Sequence, residues 1–197
     1  MDYMKIITKR RSVYELSANL PISHEECIAL IENILEASPT AFNMQSSRAI
    51  LLFGGEHQKL WDITTSVLKE IVPEDRFAPT QEKMTRFSKG AGTVLFFEDT
   101  AIVEEYKQKF PSYAASFDMF AAHGLGILQG NVWNALAELG IGANLQHYNP
   151  IINDKVREAW QVPQSWNLVS QLVFGTAIQP AGPIEKIPGK DRLLVFK

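Results

Sequence analysis

A single cysteine, Cys27, occurs in the 197 residues. No disulfide can form within the chain, and this usage fits a reducing compartment, the cytoplasm. An excess of basic residues is also missing: 19 Lys and Arg stand against 22 Asp and Glu, a net charge of −3. A general nucleic-acid binder would carry the opposite balance. The opening MDYMKIITKRR has no apolar stretch ahead of its basic cluster, so no secretory signal is expected there. The four histidines (His24, His57, His123 and His147) lack metal-ligand spacing, and one cysteine could not complete a zinc site with them. There is no G-x-S-x-G elbow and no Walker A loop. Gly124-x-Gly126-x-x-x-Gly130 has the wrong spacing for a dinucleotide fingerprint and falls inside a helical pattern.

One charge-free run, Met119 to Ala137, has nearly the length of a bilayer span. It contains His123, Gln129, Asn131 and Asn134 and has no basic flank, which disfavours a membrane span. A buried helix is expected instead. Its small residues Ala121, Ala122, Gly124, Gly126 and Gly130 would admit another backbone closely, either in the core or at a subunit seam.

What the chain does have is an ordinary globular balance, 46% hydrophobic and 21% charged residues. Its basic residues gather at both ends. Lys5, Lys9, Arg10 and Arg11 face only Asp2, and Lys186, Lys190, Arg192 and Lys197 face Glu185 and Asp191, so the acidic excess lies in the body between. A first helix is expected over about 2–11. Ser23 and Glu26 form a capping box that opens a second helix, with Cys27, Leu30, Ile31, Ile34 and Leu35 on its buried face. Strands are expected at 49–53, 93–97, 143–146, 168–177 and 193–196. Further helices are expected at 56–72, with Leu60, Ile63, Val67 and Ile71 inward, and at 99–109, 114–139 and from 153 or 154 to 160. Residues 73–92 read as a polar, irregular flap, with a short helix inside it as an alternative. Helices and strands mix without regular βαβ alternation, so the expected class is α+β in one domain, 1–197.

Four polar clusters could serve a phosphorylated, flat ligand. Arg10-Arg11-Ser12 offers guanidinium forks and a hydroxyl. Lys190 and Arg192 repeat the pattern near the other end. Asn43, Gln45 and Ser47 alternate along a run read as extended, so they could face one way together. Gly140-x-Gly142-Ala-Asn-Leu-Gln-His could bring backbone N–H groups close to a ligand.

Arg10-Arg11-Ser12, P-T-A-F-N-M-Q-S at 39–46, G-I-G-A-N-L-Q-H-Y-N at 140–149 and G-K-D-R at 189–192 together resemble the FMN-binding positions of the nitroreductase-like flavoproteins. The string A-N-L-Q-H-Y-N-P is similar to the subgroup named for fatty acid repression mutant protein. The resemblance implies a nitroreductase-like fold, with a central, mostly antiparallel sheet surrounded by helices. It also implies an intertwined homodimer whose C-terminal arm, about 180–197, wraps the partner subunit. Arg10, Ser12, Lys190 and Arg192, with Arg11 adjacent, would hold the FMN phosphate and ribityl chain. Asn43, Gln45 and Ser47 would come from the partner, and Leu145, Gln146 and His147 would lie against the flavin. Where the family often has an acidic residue followed by Gly, this chain has Gln146-His147.

The implied activity is ping-pong reduction of nitroaromatic, quinone or related small acceptors, with NADH or NADPH as donor. The chemistry would sit on the flavin, with no catalytic side chain and no metal, and Tyr113 and Phe117 are candidates for the substrate face. Other readings are a flavin-binding regulatory protein linked to fatty acids or stress, and a dimer that holds FMN without redox work.

Overall fold

A computed structural model describes residues 2–197. Strand β5 (Trp166–Ala177) is its spine. Along one edge β5 pairs antiparallel with β3 (Gly92–Asp99), and β3 pairs antiparallel with the outer strand β2 (Ser47–Phe53). The far half of β5 pairs with β4 (Ile141–Gln146), and the two-residue β1 (Leu16–Ser17) pairs with its last residues. All four pairings are antiparallel; a lone parallel bridge joins Ser12 to Ala143.

Alternation on the central strands sorts two cores. Leu95 and Phe97 of β3, with Leu52 and Val173, face one cluster that includes Trp61, Met84, Phe87 and Val156. Val94 and Phe96, with Leu172 and Phe174, face another that includes Cys27, Ile31, Leu128 and Val132. Helices therefore cover both faces, and β3 reads as an almost unbroken apolar run because neither side meets water. On the first face lie α3 (Gly54–Ile71), α4 (Phe77–Ser88) and α7 (Asn153–Trp160). On the second lie α2 (His24–Ala37) and α6 (Phe117–Glu138). Helix α1 (Tyr3–Lys9) opens the chain, and α5 (Thr100–Lys109) starts at Asp99, whose carboxylate accepts from Ala101 N–H. The capping box forms as expected: Ser23 Oγ accepts from Glu26 N–H at 3.1 Å, and Glu26 accepts from Ser23 N–H at 2.8 Å.

Within the segment read as a flap, the helix is α4, twelve residues long, and it buries Met84 and Phe87. Three expectations need correction. Helix α3 turns a different face inward: Ile71 is exposed, while His57, Trp61 and Thr64 are buried beside Leu60 and Val67. The cause is polar. Thr93 Oγ1 accepts from Trp61 Nε1 at 3.2 Å and lies 2.9 Å from His57 Nδ1, so a hydroxyl on β3 fixes the helix's rotation. Residues 41–43 form a 3₁₀ turn with left-handed backbone at Phe42 and Asn43, followed by Gln45 in the same region, so this stretch is not extended. Finally, Leu193–Phe196 pairs with no strand among the described residues and stands exposed beyond a 3₁₀ turn at Gly189–Arg192.

The long apolar helix is half covered. Phe117, Ala121, Gly124, Leu125, Leu128, Val132 and Leu136 are buried, whereas Met119, Ala122, Gly126 and Ile127 lie exposed. No helix among the described residues is long and apolar enough to cross a membrane.

Burial lowers the His57 pKa from 6.5 to about 4. Between those values the unfolded chain takes up a proton that the folded ring refuses, so this group's stabilisation is complete above pH 6.5 and is lost as pH falls toward 4. The loss approaches about 3 kcal/mol. Urea midpoints measured from pH 7 to pH 4 should fall less steeply in His57→Gln than in the wild type; equal slopes would contradict this.

Candidate functional site

Helix α1 ends when Arg10 leaves helical geometry (φ −60°, ψ 121°) while its N–H still donates to Ile6 O at 2.9 Å. The chain then runs beside β4. Val13 N–H donates to Ala143 O at 2.9 Å, and Asn144 Nδ2 donates to Val13 O at 2.8 Å. Asn144 is fully buried and accepts at Oδ1 from Gln146 Nε2, again at 2.8 Å. A neighbouring bond continues the line: Tyr148 N–H donates to Gln171 Oε1 at 2.8 Å. Gly142 makes the crossing possible, since a Cβ there would stand 3.0 Å from Leu16 Cδ2 and 3.2 Å from Val13 Cβ. A ladder of amides thus ties Arg10-Arg11-Ser12 to the Gln146–His147 loop.

A cleft of about 440 Å³ opens over this segment, lined by residues 10–15 and 179–184; its one carboxylate, Glu15, is paired with Arg86 at 3.2 Å. The two arginines differ. Arg11 Nη2 donates to Gly182 O at 2.5 Å, tethering the start of the C-terminal arm. Arg10 lies over the Trp133 ring, its guanidinium carbon 4.4 Å from the centroid, and its side chain makes no ion pair or hydrogen bond among the described residues. The Arg10 charge is therefore available for an anion. A second cleft, about 330 Å³ between α6 and β5, has the opposite character, with Glu98, Glu104 and Asp118 in its lining. Burial pushes the Glu98 carboxyl above its usual range against the pull of Arg48. Phosphate fits the first cleft and not the second.

The other expected site residues lie elsewhere in this one chain. Lys190 and Arg192 sit on the exposed 3₁₀ turn of the arm, with no hydrogen bond or ion pair to Arg10 or Ser12. Asn43 and Gln45 occupy the turn before β2, where Gln45 N–H donates to Thr40 Oγ1 at 3.0 Å; Ser47 begins β2 with a buried, unpartnered hydroxyl. The Thr40 methyl seats this turn on α6 against Gly124, where a Cβ would stand 3.0 Å away. Leu145 is half-buried, the Gln146 side chain points to Asn144, and His147 is exposed.

The pair Tyr113 and Phe117 separates. Tyr113 is 52% exposed, but Phe117 is fully buried and cannot face a substrate in this chain. The aromatic surface that is presented centres on Phe42, 44% exposed, with Phe110, Tyr113 and Phe117 within 5.4 Å, centroid to centroid. Sequence reading missed Phe42; its only signal was a large aromatic inside a run of small hydroxyl and amide residues. Burial pushes the Tyr148 phenol to about 12 and the Cys27 thiol to about 11, so both stay protonated near neutrality. Among the described residues no cluster of His, Cys, Asp and Glu is placed to hold a metal.

A family model described as the nitroreductase family matches residues 7–176. Two Saccharomyces cerevisiae proteins are similar over nearly their whole lengths. HBN1 is 38% identical, covering 98% of this chain and 96% of the relative. FRM2, described as a nitroreductase, is 37% identical, covering 94% and 92%. The solved nitroreductase CinD from Lactococcus lactis, in complex with chloramphenicol, superposes with a TM-score of 0.91 at 41% identity over 100% of both chains. CinD has also been solved with 4-nitrophenol and with nicotinic acid. The agreement runs from the Arg10 segment through β5, and with it the chain is placed as a member of the nitroreductase family.

Proposed function

We propose that this oxidoreductase is an FMN-dependent enzyme that uses NADH or NADPH to reduce nitroaromatic, quinone or related small acceptors, working in the cytoplasm as a homodimer. The observation that carries the cofactor is the cationic cleft at Arg10–Ser12, where an arginine without an acidic partner is held rigidly beside a hydroxyl. Bound FMN would supply the two-electron carrier, alternating in a ping-pong cycle between hydride from the nicotinamide and electrons to the acceptor.

This chain's residues would bind and orient. Arg10 and Ser12 take the phosphate, joined by Lys190 and Arg192 of the arm. Leu145, Gln146 and His147 present β4's end to the ring, with the Gln146 side chain held away by Asn144. Asn43, Gln45 and Ser47 lie on a different part of the chain and would complete the site from a second copy. The exposed strip of α6 and the arm's bare Leu193, Leu194, Val195 and Phe196 support that dimer, because apolar surface on this scale is normally covered. The whole of 1–197 would then act as one FMN-binding domain, its residues from about 180 wrapping the partner. Tyr113 and Phe42 would flank the open face. The CinD complexes with 4-nitrophenol and chloramphenicol support an aromatic nitro acceptor, and the nicotinic acid complex supports a nicotinamide-type donor.

Purified protein should be yellow, and anaerobic NADH or NADPH should bleach the flavin band, with colour returning on addition of 4-nitrophenol or a quinone. A colourless protein that cannot be reconstituted with FMN would contradict the reading. Arg10→Ala and Arg192→Ala should each weaken FMN binding by roughly 1.5–3 kcal/mol, up to about a hundredfold. Wild-type affinity in both variants, measured by flavin fluorescence titration, would show the phosphate site to be misplaced.

A further inference from the structure

Trp133 projects from α6 beneath Arg10 and is the one aromatic ring that Arg10 stacks on among the described residues. The ring is half-buried and packed against the second core. Its Nε1 is buried with no hydrogen-bond partner. A buried, unpaired donor costs stability, and a phenylalanine at this position would avoid that cost. What the indole supplies instead is a broad, electron-rich face. Such a face attracts a guanidinium and fixes its plane while occupying none of its N–H donors in ordinary hydrogen bonds. A carboxylate in the same place would hold Arg10 equally well but would neutralise it and compete with any anion. Arg11 illustrates the other outcome, since it is committed to the Gly182 carbonyl.

We propose that Trp133 is a positioning residue that holds the Arg10 guanidinium flat and unneutralised for a phosphate monoester, and so gives the site its preference for a phosphorylated flavin over the unphosphorylated one. The proposal rests on the FMN reading and sharpens it: the preference comes from a π face on α6 as well as from the cations themselves. It also separates the adjacent arginines, Arg10 for the phosphate and Arg11 for tethering the arm.

The test is a pair of fluorescence titrations, with FMN and with riboflavin, on wild type, Trp133→Leu, Trp133→Phe, Arg10→Ala and Arg10→Lys, each checked by thermal melting. Trp133→Leu should lower FMN affinity about tenfold and leave riboflavin affinity within about twofold. Trp133→Phe should keep most of the FMN preference and melt no lower than wild type. Arg10→Lys, which keeps the charge but cannot stack as a plane, should lose most of the preference without touching the core; it is the safeguard if Trp133→Leu folds poorly. Combining Trp133→Leu with Arg10→Ala should weaken FMN no further than Arg10→Ala alone. Equal losses for FMN and riboflavin in Trp133→Leu, or wild-type FMN preference in Arg10→Lys, would overturn the proposal and leave the cofactor reading intact. A wild type that binds riboflavin as tightly as FMN, with Arg10→Ala unchanged, would overturn the phosphate site itself.

Discussion

The hydrogen bond from Asn144 to the Val13 carbonyl is the constraint on which the site depends. A fully buried amide must find partners for both its ends. Asn144 finds one in the N-terminal segment and the other in Gln146, two residues along the same strand and on the same face. The first bond presses residues 12–13 against β4; the second turns the Gln146 side chain inward and leaves the strand's end free to present its backbone. The basic cluster at the front of the chain and the loop near its middle are thereby fixed to one rigid strand. Elements built on a strand hold position better than loops do, which suits a site whose task is to orient a ligand.

Charge distinguishes the two openings as places for a phosphate. One cleft is lined by Arg10 and Arg11, with its single carboxylate, Glu15, paired to Arg86, and the other by Glu98, Glu104 and Asp118. The uneven distribution of charge along the sequence is the linear trace of this sorting. The arm carries the second basic group beyond β5 without returning it to Arg10, and it exposes its most apolar residues. The outer strip of α6 is bare in the same way. The proposed dimer would cover both surfaces and would complete the proposed site, divided between Arg10 and Asn43.

Much of the fold was legible because apolar spacing and caps are local. The capping box at Ser23, the stripe on α2 and the break at Pro39 needed nothing beyond the chain itself. The extent of helix α4 was not legible because only Met84 and Phe87 are buried in twelve residues, too few to set a period. The rotation of α3 was hidden because His57 and Thr64 are polar, and an apolar count passes over the Thr93 hydroxyl that draws His57 and Trp61 inward. The turn at Phe42 and Asn43 rests on left-handed backbone at residues other than glycine, which sequence rarely announces. Leu193–Phe196 has strand composition but no strand partner among the described residues. At the site, the residue types were visible in order along the sequence. Trp133 beneath Arg10 was not, because it is more than a hundred residues away and looks like ordinary helix packing.

The central claim is that one cofactor is held by Arg10 of one copy and Asn43 of another. Differently tagged Arg10→Ala and Asn43→Ala chains, co-expressed and purified as the mixed dimer, test it through bound flavin. Each pure variant should hold little FMN, and the mixed dimer should recover one intact site of its two, about half of the wild-type flavin content. A mixed dimer as empty as its parents would place both residues in the same chain's site and contradict the account.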